Sequence, residues 1–432
     1  MSTPTRSMTV RQAAFIGVGA MVGAGIFALL GTAGAVAGAA VWVSFVIAGA
    51  IAGLQGYSFA KLGAKYPSGG GLLEYVKRGF GDGHVTGATC WLVYAANVVI
   101  TGLVAVSFGS YAASLLLGDD AGAVWVKVFA AVVLLVMLWL NVVGSQAVAK
   151  VQTVIVWIVV GILLTFAVVT IVNMDPSLLD PSTYPPARDI VSSVALTFFA
   201  FLGFGVITFT AKDLPDPKKQ LPRAMYLALA IASVTYVAVA LGVFGTLTVD
   251  EVIASGGTAI AVAAEPTLGR FGFWLMSVTG LFATAGATNA GIYPAGGLST
   301  ELATTGQFPP VMGRSVGRAP VGTLVMVGAT LVLAIGFNLD AIASIGSAIA
   351  LLIFSMVTLG HLRVRRDTGA NPLVLIVGLL ATTIALIVFA TTTLVEEPAA
   401  VTALLVIIAL SIGLDLWWKW ARGRRAATSD IG

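Results

Sequence analysis

Residues 12–33 read QAAFIGVGAMVGAGIFALLGTA and contain no charged side chain. A helix needs about 20 mostly apolar residues to cross the hydrocarbon of a bilayer, so this run is long enough to span it. Eleven further runs of this kind follow, at 39–61, 84–116, 123–143, 151–173, 190–211, 223–247, 270–293, 321–337, 340–361, 372–393 and 398–420. The sequence therefore predicts an all-α integral membrane protein with about 12 transmembrane helices, forming a single domain over residues 1–432.

The composition of the whole chain supports this prediction. The sequence is 58% hydrophobic and 10% charged, whereas an average soluble domain is roughly 45–50% apolar and about 25% charged. The net charge is only +4, and the basic residues lie in short clusters between the apolar runs. This charge pattern indicates membrane orientation and excludes nucleic acid as a partner.

The distribution of Lys and Arg predicts the orientation of the chain. With the N-terminus in the cytoplasm, 20 of the 23 basic residues fall in cytoplasmic segments, and only Lys127, Arg188 and Arg270 fall outside. Cytoplasmic loops are enriched in Lys and Arg, and one missed span would invert every later loop. We therefore expect a multi-pass protein of the plasma (cytoplasmic) membrane with both termini in the cytoplasm.

Glycines interrupt the first and the sixth apolar runs near their middles. The first run contains Gly23 and Gly25, and the sixth contains Gly203 and Gly205. Glycine holds helical geometry weakly, and unwound backbone survives in a bilayer only where it lines a cavity or is buried in protein. The spacing of Gly19 and Gly23 is also typical of close helix packing, so for either run alone packing is the simpler interpretation.

The two interrupted runs occupy the same place in two consecutive sets of five, and they cross the membrane in opposite directions. This arrangement predicts inverted repeats at 12–173 and 190–361, followed by two additional helices at 372–420. Paired broken helices are typical of secondary transporters, which bind their substrate at the breaks. The pairing therefore favours a substrate cavity over simple packing.

Helix ends at the two breaks would supply the charges that a substrate needs. The half-helix that begins near Ala24–Phe27 points free backbone N–H groups into the cavity, and these suit a carboxylate. The half-helix that ends near Phe201–Leu202 presents free carbonyl groups, which suit an ammonium group. A small zwitterion satisfies both ends without a charged side chain.

Three motifs follow one another at and between the two breaks: VGAGIF at 22–27, YPSGGG at 66–71 and FFAFLGFG at 198–205. In this order they resemble the amino acid–polyamine–organocation (APC) superfamily of permeases, and the resemblance covers nearly the whole chain. It implies five-plus-five inverted repeats of the leucine-transporter (LeuT) type with two C-terminal helices added. It also implies transport by alternating access.

The resemblance further implies which residues contact the substrate. Backbone N–H groups at the first break would bind the carboxylate, and carbonyl groups at the second break would bind the amino group. An aromatic side chain would act as a gate, and an amide in the third run can face the site. These positions are Val22, Gly23, Ala24, Gly25 and Ile26 for the carboxylate, Phe201, Leu202 and Gly205 for the amino end, Phe199 for the gate and Asn97 for the amide. Packing of Phe199 and an interhelical hydrogen bond of Asn97 are equally open interpretations.

The chain departs from its relatives at three positions. Many relatives have Ser where this chain has Ala24, so only backbone remains for that contact. Relatives with cationic substrates often have an acid where this chain has Gly205, and its absence argues for a neutral substrate. Relatives coupled to protons can carry Lys at the position of Val159, so this form of proton coupling is in doubt.

Two hydroxyl side chains in the eighth run bear on the coupling ion. Thr284 and Thr288 lie one turn apart on one helix face. In sodium-coupled members of the wider fold, hydroxyls here complete a cation site, while hydrogen bonds to their own helix are the alternative. We expect no cofactor. The sequence does not identify the coupling ion, and both a proton and sodium stay open.

The leading hypothesis is a secondary transporter of small neutral amino acids. The alternatives are a permease or exchanger of cationic amino acids or polyamines and, more distantly, a channel. No phosphate loop, HExxH motif or paired carboxylate lies within the apolar runs, so we do not expect an enzyme. The expected partners are the amino acid and the lipid bilayer, and the sequence identifies no partner protein.

Overall fold

The computed structural model of the chain describes residues 8–68, 71–118, 121–143, 146–317 and 319–429. Its α-helices are α1 (Val10–Ala24), α2 (Ile26–Ala37), α3 (Val41–Lys65), α4 (Leu72–Phe80), α5 (His84–Leu117), α6 (Ala123–Val143), α7 (Gln146–Val172), α8 (Ala187–Phe199), α9 (Pro217–Phe244), α10 (Val249–Ser255), α11 (Ala259–Thr304), α12 (Val321–Gly336), α13 (Leu339–Arg363), α14 (Arg365–Thr368), α15 (Pro372–Thr391) and α16 (Pro398–Ser429). The 3₁₀ segments are Gly38–Ala40, Pro176–Leu179, Pro181–Thr183, Leu202–Asp213, Gly256–Thr258, Pro310–Gly313 and Leu394–Glu396. Two short antiparallel strands, β1 (Ser315–Val316) and β2 (Ala319–Pro320), pair in the loop before α12.

The helices confirm the prediction of an all-α membrane protein. Among the described residues, ten helical stretches are long and apolar enough to cross a membrane. Two shorter apolar helices, Val10–Gly23 and Val321–Gly336, lie in the predicted first and ninth spans. All 12 predicted runs thus coincide with helix, while the exact number of spans and the inverted repeats at 12–173 and 190–361 stay predictions.

Two predicted features fall partly on residues that are not described. Gly69 and Gly70 of the YPSGGG motif lie outside the described residues, as do Arg6 and Arg318 among the basic residues that set the orientation. The predicted orientation therefore rests on the sequence.

The first break separates α1 from α2 by a single residue. Gly25 has φ −89° and ψ −79°, its N–H donates to the Met21 carbonyl over 2.7 Å, and its carbonyl accepts from the Leu29 N–H over 2.9 Å. The backbone thus changes direction at Gly25 while it keeps hydrogen bonds on both sides. The break falls within the predicted interval near Ala24–Phe27.

The second break is longer and changes the type of helix. The α-helix α8 ends at Phe199, and the chain continues from Leu202 to Asp213 as a 3₁₀ segment of 12 residues. Runs of 3₁₀ helix longer than three or four residues are uncommon and often mark a hinge. The α-helix ends two residues before the predicted Phe201, because Ala200 and Phe201 already make turn-type hydrogen bonds to Thr197 and Phe198.

Small residues let the two broken helices cross in direct contact. A Cβ atom on Gly203 would lie 2.5 Å from the Met21 nitrogen, and one on Gly17 would collide with Ile207. These two glycines therefore allow the backbone of α1 to touch the 3₁₀ segment, and α9 packs against both elements. This crossing brings the two breaks together in the core.

The buried carboxylate of Asp415 holds the C-terminal half of α16 in place, at the end of the helix that the sequence assigns to the cytoplasm. Asp415 is only 1% exposed, and its carboxylate accepts from His84 Nδ1 at 2.7 Å and pairs with Lys419 Nζ at 2.9 Å. Lys419 Nζ also donates to the Gly83 carbonyl over 2.9 Å. These contacts anchor α16 to the N-terminus of α5 and away from the two breaks.

Candidate functional site

The two helix breaks meet at Gly25 and Ala200, where Tyr236 of α9 bridges them. Tyr236 Oη donates a hydrogen bond to the Ala200 carbonyl over 3.1 Å. A Cβ atom on Gly25 would lie 2.5 Å from Tyr236 Oη, 2.7 Å from the Met21 carbonyl oxygen and 2.8 Å from that of Ala200. Only a residue without a side chain fits at Gly25, so the close approach of the two breaks requires glycine there.

Two of the remaining glycines of α1 are packing positions. A Cβ atom on Gly23 would lie 2.6 Å from the Ala283 carbonyl oxygen and 2.8 Å from Ala287 Cβ, both on α11. A Cβ on Gly19 would meet Val156 of α7 at 2.7 Å. The G-x-x-x-G spacing therefore serves helix packing, whereas Gly25 lies at the break itself.

The other predicted carboxylate contacts lie beside this break. Val22 and Ile26 are buried on either side of it. Ala24 ends α1, and its side chain lies outside the described residues. The structure thus brings Val22, Gly23, Gly25 and Ile26 together with the backbone of Ala24, but it does not test their role in binding.

The predicted carbonyl groups of the second break already accept hydrogen bonds. Phe201 accepts from the Phe204 N–H over 3.1 Å, and Gly205 accepts from Thr208 Oγ1 over 2.6 Å. Leu202, between them, is half-buried. A ligand ammonium would share these carbonyl oxygens, since each has a second lone pair. Gly205 is open on its Cα side, where an added Cβ would find nothing nearer than Phe59 Cε1 at 4.0 Å.

Aromatic rings pack around the second break. Phe199 lies with its ring against the Cα of Gly346 on α13, and it is 5% exposed. Phe198 of α8 and Phe204 of the 3₁₀ segment both contact Phe354 of α13, with ring centroids 5.4 and 5.3 Å apart. Phe199 thus lies at the contact between α8 and α13, where movement of either helix would displace it.

Asn97 joins three helices of the surrounding bundle. Its Nδ2 donates to the Gly291 carbonyl on α11 over 2.9 Å and lies 3.2 Å from Met326 Sδ on α12. The side chain therefore makes the interhelical hydrogen bond that the sequence left open.

The two threonines of the predicted sodium site are buried and bonded to their own helix. Thr284 Oγ1 donates to the Gly280 carbonyl over 2.6 Å, and Thr288 Oγ1 donates to the Thr284 carbonyl over 2.8 Å. A cavity of about 20 Å³ lies between α1, α7 and α11, with Val22, Val159 and Ala287 in its wall. Such a volume holds about one water molecule. Neither Thr284 nor Thr288 lines this cavity, so the sodium site stays a prediction.

Tyr236 is the residue of this site that sequence reasoning missed. It belongs to no motif, and it lies 36 residues after Ala200 on a separate helix. Its ring packs between Phe45 and Phe201, with centroids 5.5 and 5.1 Å away. The sequence signal was limited to a tyrosine in the middle of an apolar run, where its hydroxyl needs a buried acceptor.

The comparison with known families decides the class of this protein. The model of a family described as "Amino acid permease" matches residues 8–414. The chain belongs to this amino acid permease family. It is therefore a multi-pass membrane transporter of amino acids, which confirms the resemblance to the APC superfamily and the prediction that the protein is not an enzyme.

Several named transporters are similar to this permease. The inner membrane transport protein YbaT of Escherichia coli (strain K12) is 31% identical over 375 residues, which cover 87% of each chain. The serine/threonine exchanger SteT of Bacillus subtilis (strain 168) is 24% identical, over 59% of this permease and 58% of the exchanger. The large neutral amino acids transporter small subunit 2 of Oryctolagus cuniculus is 25% identical, over 59% and 49% of the two chains.

Proposed function

We propose that this permease is a secondary transporter that moves small neutral amino acids across the plasma membrane by alternating access, with both termini in the cytoplasm. The observation that carries the proposal is the contact between the two breaks at Gly25 and Ala200. Helix ends meet there without a charged side chain, so backbone dipoles are left to bind the carboxylate and the amino group of a zwitterion.

The environment of Gly205 supports a neutral substrate side chain. This position is open toward Phe59 and carries no carboxylate that would balance an additional positive charge. The names of two relatives, a serine/threonine exchanger and a large neutral amino acids transporter, agree with a neutral substrate. The proposed contacts are the backbone of Val22–Ile26 for the carboxylate and that of Phe201–Gly205 for the amino group, with Phe199 as the gate.

Uptake into proteoliposomes tests this function. Purified permease is reconstituted, and a panel of labelled amino acids is offered with and without unlabelled competitors. We expect saturable uptake of one or more small neutral amino acids that arginine and putrescine fail to inhibit. Strong inhibition by either cation would favour a cationic amino acid or polyamine permease, and folded protein without saturable flux of any amino acid would contradict the proposal.

The coupling ion is tested in the same vesicles. If Thr284 and Thr288 complete a sodium site with the backbone of α1, uptake requires sodium, and replacement of both threonines by alanine abolishes that requirement. Both hydroxyl groups donate to carbonyl groups of their own helix, and neither threonine lines the cavity between α1, α7 and α11. We therefore propose that uptake proceeds equally with sodium or choline outside, and a sodium requirement that the double variant loses would refute this.

A further inference from the structure

Tyr236 of α9 supplies a hydrogen bond at the second break that the backbone does not make. Its side chain is fully buried, and its hydroxyl donates to the Ala200 carbonyl over 3.1 Å. Ala200 caps the C-terminus of α8, so its carbonyl is one of those that an α-helix leaves without an intrahelical partner. A side chain from a separate helix therefore satisfies a carbonyl group that the break has freed.

The backbone hydrogen bonds around Ala200 show what this side chain replaces. Three nearby carbonyl groups accept from the N–H three residues later, as in a 3₁₀ helix, and they belong to Thr197, Phe198 and Phe201. The same pattern would pair the Ala200 carbonyl with the Gly203 N–H. Within the described part of the chain, however, the Ala200 carbonyl accepts from Tyr236 and from no backbone N–H. The hydroxyl therefore takes the place of the backbone donor.

The hydroxyl oxygen of Tyr236 cannot shift freely at the break. Phe45 and Phe201 pack on the ring, with centroids 5.5 and 5.1 Å from its own. Tyr236 Oη also lies close to Gly25, where an added Cβ would be 2.5 Å from this oxygen and 2.8 Å from the Ala200 carbonyl oxygen. The hydrogen bond therefore fixes the Ala200 carbonyl beside the first break.

We propose that Tyr236 is a positioning residue of the amino-group subsite, because its hydroxyl keeps the Ala200 carbonyl out of the backbone hydrogen bond that would close the second break. Without this donor, the carbonyl pairs with the Gly203 N–H, since a buried carbonyl group without a partner is unfavourable. The helix then continues through Ala200, and the carbonyl groups at the end of α8 no longer face an ammonium group. Tyr236 acts through the carbonyl and not by contact with the substrate. The effect on substrate affinity rests on the proposed function, which places the amino group at this break, whereas the change in the backbone does not.

Competitors with and without an amino group test this role. Reconstituted permease takes up its best labelled amino acid in the presence of the same amino acid unlabelled, or of the carboxylic acid that lacks only the amino group. In Tyr236→Phe, the affinity for the amino acid should fall about two- to tenfold, the effect of one hydrogen bond, while the affinity for the deaminated acid stays unchanged. A change in packing alone would lower both affinities alike. Beside Gly25→Ala the sign differs, because there the hydroxyl is the nearest clash.

Side chains of similar shape separate the hydrogen bond from the volume of the hydroxyl. At position 236, 4-fluorophenylalanine fills much of that volume without a donor, and 4-aminophenylalanine places an N–H at the same point. KM for uptake should stay raised with the fluorinated ring and return to about the parent value with the amino group. The maximal rate per folded permease should change less than KM in the whole series.

Tyr111→Phe is the matched control. Tyr111 of α5 is also fully buried and packs against a broken helix, with its ring centroid 5.8 Å from that of Phe27 on α2, but its hydroxyl has no hydrogen-bond partner among the described residues. Removal of this hydroxyl should therefore leave KM and the affinities for both competitors unchanged. Loss of affinity for both competitors alike in Tyr236→Phe, or a raised KM that 4-aminophenylalanine does not lower, would overturn the proposal.

Hydrogen–deuterium exchange measures the backbone change without any substrate. In purified Tyr236→Phe, the Gly203 N–H should exchange more slowly than in the parent, because it then donates to the Ala200 carbonyl, and Tyr111→Phe should exchange as the parent does. Unchanged exchange at Gly203 would overturn the proposal. Folded permease without saturable flux of any amino acid that still shows the slower exchange would refute the proposed function and support the role of Tyr236 at the break.

Discussion

Replacement of Gly25 by alanine tests whether the two helix breaks form the substrate site. An added Cβ would lie between 2.5 and 2.8 Å from three oxygen atoms, those of Tyr236 Oη and of the Met21 and Ala200 carbonyls. Cβ contacts shorter than 3.0 Å require a neighbour to move, and two of these neighbours are backbone atoms. Tyr236 also cannot shift freely, since Phe45 and Phe201 pack on its ring.

The expected magnitude follows from this crowding. Overpacking of a tight core costs about 1–3 kcal/mol. If the bound state carries this strain, substrate affinity falls roughly 5- to 150-fold. Membrane insertion should be unaffected, because the substitution adds no charge and alanine is no less apolar than glycine. Gly25→Val, with a branched side chain, should abolish binding.

Two measurements and one matched control check this prediction. Affinity is measured by competition of labelled uptake, and stability by thermal unfolding of the purified permease in detergent. Gly53→Ala is the control, because an added Cβ there meets no atom within 4 Å and the residue lies inside α3. Tyr236→Phe combined with Gly25→Ala should restore part of the loss by removing the nearest contact. Gly25→Ala with the affinity and stability of the control would refute the proposed position of the site.

Three further substitutions probe other parts of the structure. The Gly205→Asp variant should fold, because the nearest atom to an added Cβ is 4.0 Å away. It should also make arginine a stronger competitor of uptake. Unchanged competition by arginine would argue against a position of Gly205 near the substrate. Asn97→Ala removes an interhelical hydrogen bond and should lower the free energy of unfolding by about 1 kcal/mol without a change in substrate affinity. A large loss of substrate affinity at normal stability would instead place Asn97 in the substrate site. Asp415→Asn removes the buried charged partner of Lys419 and His84 and should lower the unfolding temperature. The control, Asp82→Asn, breaks an exposed ion pair with Lys77 and should have little effect.

Much of the fold could be predicted because the bilayer restricts the solutions. Backbone polar groups inside hydrocarbon must be satisfied within the segment, so long apolar runs become helices. The breaks could be placed near Ala24–Phe27 and Phe201–Leu202 because glycine weakens the helix there. The structure moved the end of α8 back to Phe199, since 3₁₀ hydrogen bonding starts earlier than the glycines.

The candidate site could be predicted only in part. The sequence marked Gly23 and Gly25 alike, whereas the structure separates them, because Gly23 packs against Ala283 and Gly25 faces Tyr236. For Asn97, the sequence left substrate binding and an interhelical hydrogen bond equally open. The structure shows the hydrogen bond, in which the Asn97 amide donates to the Gly291 carbonyl. Binding by Val22–Ile26, Phe199 and Phe201–Gly205, and sodium binding by Thr284 and Thr288, stay predictions.

The sequence by itself determined the class of protein, the helical segments and the approximate places where two of them break. These properties depend on hydropathy and on backbone freedom, which act over a few residues at a time. Tertiary structure alone decided the partners of individual polar groups, such as Tyr236 with Ala200, Thr32 with Asp340, and Asn97 with Gly291. Such pairs join helices far apart along the chain, and only the packing of those helices determines which buried donor meets which acceptor.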